Sequence, residues 1–148
     1  MTSATRAAAT AAAELASMLR PPLLRLTRLV RLQRVDMNVG LTQLSALFTL
    51  NKYGPLSAGE LAAYERVQPP SMTKVLASLE ERGLLRRDAH PSDKRQAVIA
   101  ITEEGRSLLA SESRSRDAWL AQRLGTLTGE ERALLERVVP ILDKLAEQ

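Results

Sequence analysis

The sequence predicts a mainly α fold (α+β) in which helices are interrupted once, by a small β-hairpin. Two observations carry this. Apolar residues recur at helical spacing along most of the chain, and only residues 84–101 switch to the alternation of strands. Helix caps and breakers punctuate the pattern at Gly54-Pro55, Ser57-Ala58-Gly59-Glu60, Pro69-Pro70, Gly83, Thr102-Glu103-Glu104 and Thr128-Gly129-Glu130-Glu131.

Residues 3–19 are alanine-rich and favour a first helix. Pro21-Pro22 should kink or restart it, because each proline removes a backbone donor and crowds the preceding turn, before it continues to about Val35. Arg20, Arg25, Arg28, Arg31 and Arg34 read as its wet face, opposite Leu19, Leu23, Leu26 and Val30; direct phosphate contact is the alternative. A second helix opens at Leu41-Thr42, with Thr42 as N-cap and Leu44, Leu47 and Phe48 as its buried side. Ser57 and Glu60 form a capping box for a third, which turns Leu61, Ala62 and Val67 inward.

Pro69-Pro70 sets the turn into a fourth helix, which Gly83 ends as a C′ residue. Met72, Val75, Leu76 and Leu79 make its apolar stripe, leaving Pro70, Ser71, Thr73, Lys74, Ala77 and Ser78 for water or for a ligand. The hairpin pairs Leu84–Asp88 with Gln96–Ile101, with Ala97, Ile99 and Ile101 toward the core. At its tip, Pro91-Ser92-Asp93-Lys94-Arg95, an Asp93–Arg95 ion pair would hold the arginine extended; an ordinary exposed pair, worth little, is the alternative. Thr102 starts a fifth helix, polar over 110–117 before Trp119, Leu120 and Leu124, as in a bridge between two lobes. A sixth begins at the Thr128 capping box, carries Leu134, Leu135, Val138, Ile141, Leu142 and Leu145, and should kink at Pro140.

At 148 residues the chain is expected to be a single domain, 1–148, with more apolar surface at its ends than one small lobe can bury. Residues 1–38 and 106–148 are therefore expected to form a helical dimerisation lobe beside a lobe spanning 41–105. The absence of Cys excludes disulfides and thiolate metal sites. No apolar run could span a membrane and the first residues lack the pattern of a signal peptide, so no membrane association and a cytoplasmic location are expected. The only histidine, His90, adjoins the hairpin tip; no metal-ligand cluster, phosphate cradle or nucleophile with a neighbouring base occurs, so neither an enzyme nor a cofactor is expected. A formal charge of +4 and a pI near 10.0 suit a polyanionic partner, although so small an excess also fits a solvated surface.

Helix, turn, helix and basic-tipped hairpin in this order make a winged helix-turn-helix. Pro70-Ser71-x-Thr73-Lys74, Leu79-Glu80-x-x-Gly83-Leu84, Arg87, Pro91-x-Asp93-Lys94-Arg95 and Ile101-Thr102-x-x-Gly105 are spaced as in the MarR family of bacterial transcription regulators, which the chain resembles, most strongly over 41–105. The resemblance implies a homodimer on a pseudo-palindromic double-stranded DNA operator, acting as a repressor. Pro70, Ser71, Thr73, Lys74 and Ser78 would face the major groove, while Asp93, Lys94 and Arg95 would form a wing whose arginine enters the minor groove. Many relatives release DNA on binding small aromatic anions, which implies an aromatic or lipophilic effector; Phe48, Tyr53, Tyr64 and Trp119, the chain's aromatic side chains apart from His90, do not outline a pocket for one. Two other classes compete. A winged-helix protein-interaction module without DNA binding is disfavoured by the basic wing and the small, hydroxylic helix face, and an auxiliary domain of an enzyme by the capped terminal helix.

Overall fold

The computed structural model describes residues 3–147. In chain order they form α1 (Ser3–Arg31), α2 (Leu41–Tyr53), α3 (Ala58–Glu65), α4 (Pro69–Glu81), β1 (Leu85–Ala89), β2 (Ala97–Ile101), α5 (Glu103–Leu124) and α6 (Gly129–Ala146). Two compact units result, one of residues 34–114 and one of 1–33 with 115–148, so α5 contributes to both.

The 34–114 unit holds the core. Leu44, Leu47 and Leu50 of α2, Leu61 of α3, Met72, Leu76 and Leu79 of α4, and Leu85, Ile99 and Ile101 of the hairpin are buried together with Val39. Burying each such side chain stabilises the fold by about 1.5–3 kcal/mol. The hairpin is antiparallel, Leu85 opposite Ile101 and Ala89 opposite Ala97. A third short segment joins it: Leu56 and Ile99 exchange backbone hydrogen bonds of 3.1 and 2.7 Å across an isolated bridge. Ile99 and Ile101 are buried as expected, but Ala97 is exposed and Ala100 is buried, because the strand covers the core on both faces only at its inner end.

The end of α4 is locked to the start of α5. Gly83 has φ +70°, the left-handed conformation of a C′ glycine, and its N–H and that of Leu84 reach back to the carbonyls of Glu80 and Leu79 at 2.9 and 3.0 Å. Thr102 donates its hydroxyl to the Gly83 carbonyl at 2.6 Å and accepts the Gly105 N–H at 3.1 Å, so one side chain caps α5 and fastens it to α4.

Three local expectations need correction. Gly40, not Thr42, is the N-cap of α2: its extended backbone starts the helix earlier, and Gln43 Oε1 accepts its N–H at 2.6 Å. Phe48 is 60 % exposed, because the buried arc of α2 runs from Thr49 through Ala46, Leu50 and Leu47 to Leu44 and Phe48 falls just beyond it. Finally, α1 neither restarts at Pro21-Pro22 nor reaches Val35; it runs unbroken to Arg31. The prolines deprive only the Ser17 and Met18 carbonyls of donors, and on an exposed helix water serves those groups.

In the other unit, no described residue is buried. Its helices display Leu15, Met18, Leu19, Leu23, Leu24, Leu26 and Leu29 on α1, and Leu134, Leu135, Val138, Val139, Ile141, Leu142 and Leu145 on α6, all exposed. The Thr128 capping box is formed, Thr128 Oγ1 accepting from Glu131 N–H at 3.2 Å and Glu131 Oε2 from Thr128 N–H at 2.8 Å. No helix among the described residues is long and apolar enough to cross a membrane.

Candidate nucleic-acid interface

The turn between α3 and α4 presents the start of α4 outward. The Ser57–Glu60 capping box opens α3, with Ser57 N–H donating to Glu60 Oε2 at 2.7 Å, a bond that holds the Glu60 carboxyl below its ordinary value. Arg66 ends α3 in the left-handed region at φ 52°, bending the chain, and Gln68 caps α4 with Pro69 and Pro70 as its first residues. Met72, Leu76 and Leu79 are drawn into the core, and Pro70, Ser71, Thr73, Lys74 and Ala77 are left exposed. The Thr73 hydroxyl donates to the Pro69 carbonyl at 3.0 Å and keeps its lone pairs for other donors.

Ser78 departs from its expected place. It is half-buried, and Gln43 Nε2 donates to its hydroxyl at 2.8 Å, so it ties α4 to α2. The same Gln43 side chain therefore caps α2 through its oxygen and grips α4 through its nitrogen.

The hairpin tip is an organised turn rather than a loose loop. His90 Nδ1 accepts the N–H groups of Ser92 and Asp93, each at 3.2 Å, and His90 N–H donates to the Gln96 carbonyl at 3.0 Å. Asp93 Oδ1 accepts the Arg95 N–H at 3.0 Å. The expected Asp93–Arg95 ion pair is thus replaced by a bond in which the carboxylate accepts a backbone N–H: Asp93 shapes the turn, and among the described residues no ion pair engages the guanidinium. A carboxylate two residues before a backbone N–H reaches it with little entropy lost, and a long arginine side chain has no such advantage.

Charge separates the exposed cations. Arg86 pairs with Asp88 at 2.9 Å, and Arg87 with Glu80 at 3.0 Å, joining β1 to the last turn of α4. Arg82, at the C-cap of α4, pairs with Asp36. No ion pair among the described residues engages Lys74, Lys94 or Arg95, and all three are exposed. A small polar helix start and an unneutralised basic tip on one unit can dock a polyanion, donating to phosphates and to base edges. The described residues hold no group of three His, Cys, Asp or Glu suited to a metal.

Sequence reasoning did not find Gln43 and His90 as shapers of this surface, and it gave Asp93 the Arg95 side chain as partner where the carboxylate accepts the Arg95 N–H. Gln43 and His90 carry no local signature, since both act through contacts that appear only on folding. Nor did it separate Arg34 from its neighbours: Arg20, Arg25, Arg28 and Arg31 are exposed, whereas the Arg34 side chain is 8 % exposed and pairs with buried Glu112.

Comparison with known proteins agrees with this fold. The MarR family model matches residues 39–97. The chain is 42% identical over 136 residues, 92% of its length and 95% of the relative's, to an uncharacterized HTH-type transcriptional regulator of Mycobacterium bovis. It is 30% identical to the HTH-type transcriptional repressor MdtR of Bacillus subtilis, over 71% of this chain and 68% of that one. The crystal structure of a transcriptional regulator from Pseudomonas aeruginosa superposes with a TM-score of 0.81 at 32% identity, covering 91% of this chain and 95% of that one.

Proposed function

The chain belongs to the MarR family of HTH-type transcriptional regulators, which are not enzymes, and on that premise we propose that it is a repressor that binds a two-fold DNA operator as a homodimer. The observation that carries the DNA reading is the contrast in charge: Arg82, Arg86 and Arg87 are neutralised within their own unit, while Lys74, Lys94 and Arg95 are left for an outside anion. The exposed start of α4, with Pro70, Ser71, Thr73 and Lys74, enters the major groove. Lys94 and Arg95 follow the backbone into the adjacent minor groove from a turn that Asp93 and His90 hold in shape. Ser78, engaged by Gln43, has no part in reading bases.

The dimer is supported by the leucine-rich faces of α1 and α6, which a chain without a partner leaves in water; contiguous apolar surface on that scale marks an interface. Repression is supported by the likeness to the repressor MdtR of Bacillus subtilis. Release by a small aromatic or lipophilic molecule belongs to the same proposal. It is supported by Phe48 and by the Tyr53–Tyr64 pair, stacked at 4.8 Å with an interplanar angle of 21° and half exposed, on which an aromatic ring could stack.

Selection of duplexes from a random pool tests the reading. Enrichment of one motif repeated with two-fold symmetry is expected, and failure to enrich any duplex would favour a protein-interaction module instead. Screening phenolic acids for a rise in melting temperature checks the effector, because a ligand that binds only the folded state must raise it.

A further inference from the structure

The chain crosses between its two units at residues 33/34 and 114/115, and one buried ion pair stands beside both crossings. Arg34 is the first residue inside the 34–114 unit, and Glu112, whose side chain is 1 % exposed, lies two residues before the chain leaves it. Arg34 Nε is 3.6 Å from Glu112 Oε2, and Glu112 Oε1 accepts the N–H groups of Val35 and Asp36, each at 3.2 Å. The far end of the Arg34 guanidinium donates to the carbonyls of Asp36 and Val39. Asp36 carries the connection onward: its carboxylate accepts the Asn38 N–H at 2.8 Å and pairs with Arg82 at the C-cap of α4. One polar chain therefore runs from α5, through the segment that leads into α2, to the end of the helix proposed to read DNA.

A charge pair this deeply buried is a weak way to stabilise a fold, because desolvation offsets most of its attraction and an apolar pair would pack as well. It does select one arrangement. We propose that Arg34, Asp36, Arg82 and Glu112 are positioning residues: they hold α4 in one place relative to the two points where the chain enters and leaves the unit, and so set the half-site spacing that the protein accepts. The inference rests on the DNA-binding dimer proposed above. None of the four side chains needs to touch DNA for it to hold.

The test measures spacing rather than affinity alone. Binding of the full chain is titrated against the selected two-fold duplex and against versions with one base pair added or removed between half-sites, which turns one half-site relative to the other by about a tenth of a helical turn. The unaltered protein should prefer the selected spacing. Arg82→Ala and Glu112→Gln should each lower that preference by about 5-fold or more, the usual lower range for a coupling between sites, while base preferences inside each half-site persist. Arg82→Lys should retain the preference. Arg82 is partly exposed, so its truncation leaves the core intact even if Glu112→Gln fails to fold. An Arg82→Ala protein with an unchanged spacing profile, or one that loses affinity equally at all spacings, would overturn the inference. An unaltered protein with a flat spacing profile would overturn it too and leave the DNA-binding reading standing; no binding to any duplex would remove both.

Discussion

Arg95→Ala separates a contact with DNA from a contribution to the fold. The side chain is exposed and makes no ion pair among the described residues, so its loss should leave the melting temperature unchanged while weakening DNA binding. In a dimer two cations are lost, and the slope of log affinity against log salt should become shallower by about 0.9 for each phosphate contact removed. Asp93→Ala should also weaken binding although it makes the protein more positive, because it frees the Arg95 N–H and loosens the turn. Tighter binding by that variant would show the tip to be a simple charge. Asp36 makes a different prediction, one of pH. The Asn38 N–H holds its carboxyl below the ordinary 3.8, partial burial pulls it back up, and Arg82 adds to the lowering. A lowered carboxyl stabilises the folded state above pH 3.8, and that stabilisation is lost as pH falls through the lower folded value. The gap in melting temperature between the unaltered protein and Asp36→Asn should thus be steady near neutral pH and close below pH 3.8. At this scale the sequence was legible where exposure follows from place on a helix, as with Ser71 and Lys74. It was silent where the partner is distant in sequence: Glu112 lies in a polar stretch and looks like any solvated residue of α5.

Among elements, the joint between α4, the hairpin and α5 is the least forgiving. A Cβ on Gly105 would run into the Leu84 carbonyl oxygen and the Ile101 side chain, because the first turn of α5 packs against the strand ends. Alanine in an exposed helix gains about 0.5–1 kcal/mol over glycine. Here Gly105→Ala should instead destabilise by about 1–3 kcal/mol, the cost of overpacking, as a denaturant melt would report. Helix starts at Ser57 and Thr128 and the stop at Gly83 were readable because each depends on a few neighbouring residues. The start of α2 was not: Gly40 caps it by its backbone alone, with Gln43 supplying the side-chain oxygen, and glycine offers no cap signature to read. The Leu56–Ile99 bridge was equally hidden, since a single bridging pair has no period.

For the molecule as a whole, the exposed leucine faces of α1 and α6 support the proposed dimer, and sedimentation at micromolar concentration should report one. Charged substitutions at Leu134 and Val138 should yield monomers, whereas a native protein that sediments only as a monomer would contradict the account. Fold class and the winged order of elements were visible in the sequence because periodicity and caps agree with one another. Two lobes were expected as well, with a bound at 105/106, whereas the compact units divide at 114/115, because α5 continues through the boundary without any break in its backbone. The central claim, that the exposed start of α4 and the basic wing together recognise particular DNA, is tested most directly by a competition titration at about 0.15 M salt, where the Debye length of about 8 Å leaves only close contacts effective. A labelled duplex carrying the selected two-fold motif is displaced by unlabelled duplex of the same composition in scrambled order. The account predicts that the scrambled DNA competes at least about 10³-fold more weakly. Equal competition by the two duplexes would contradict it.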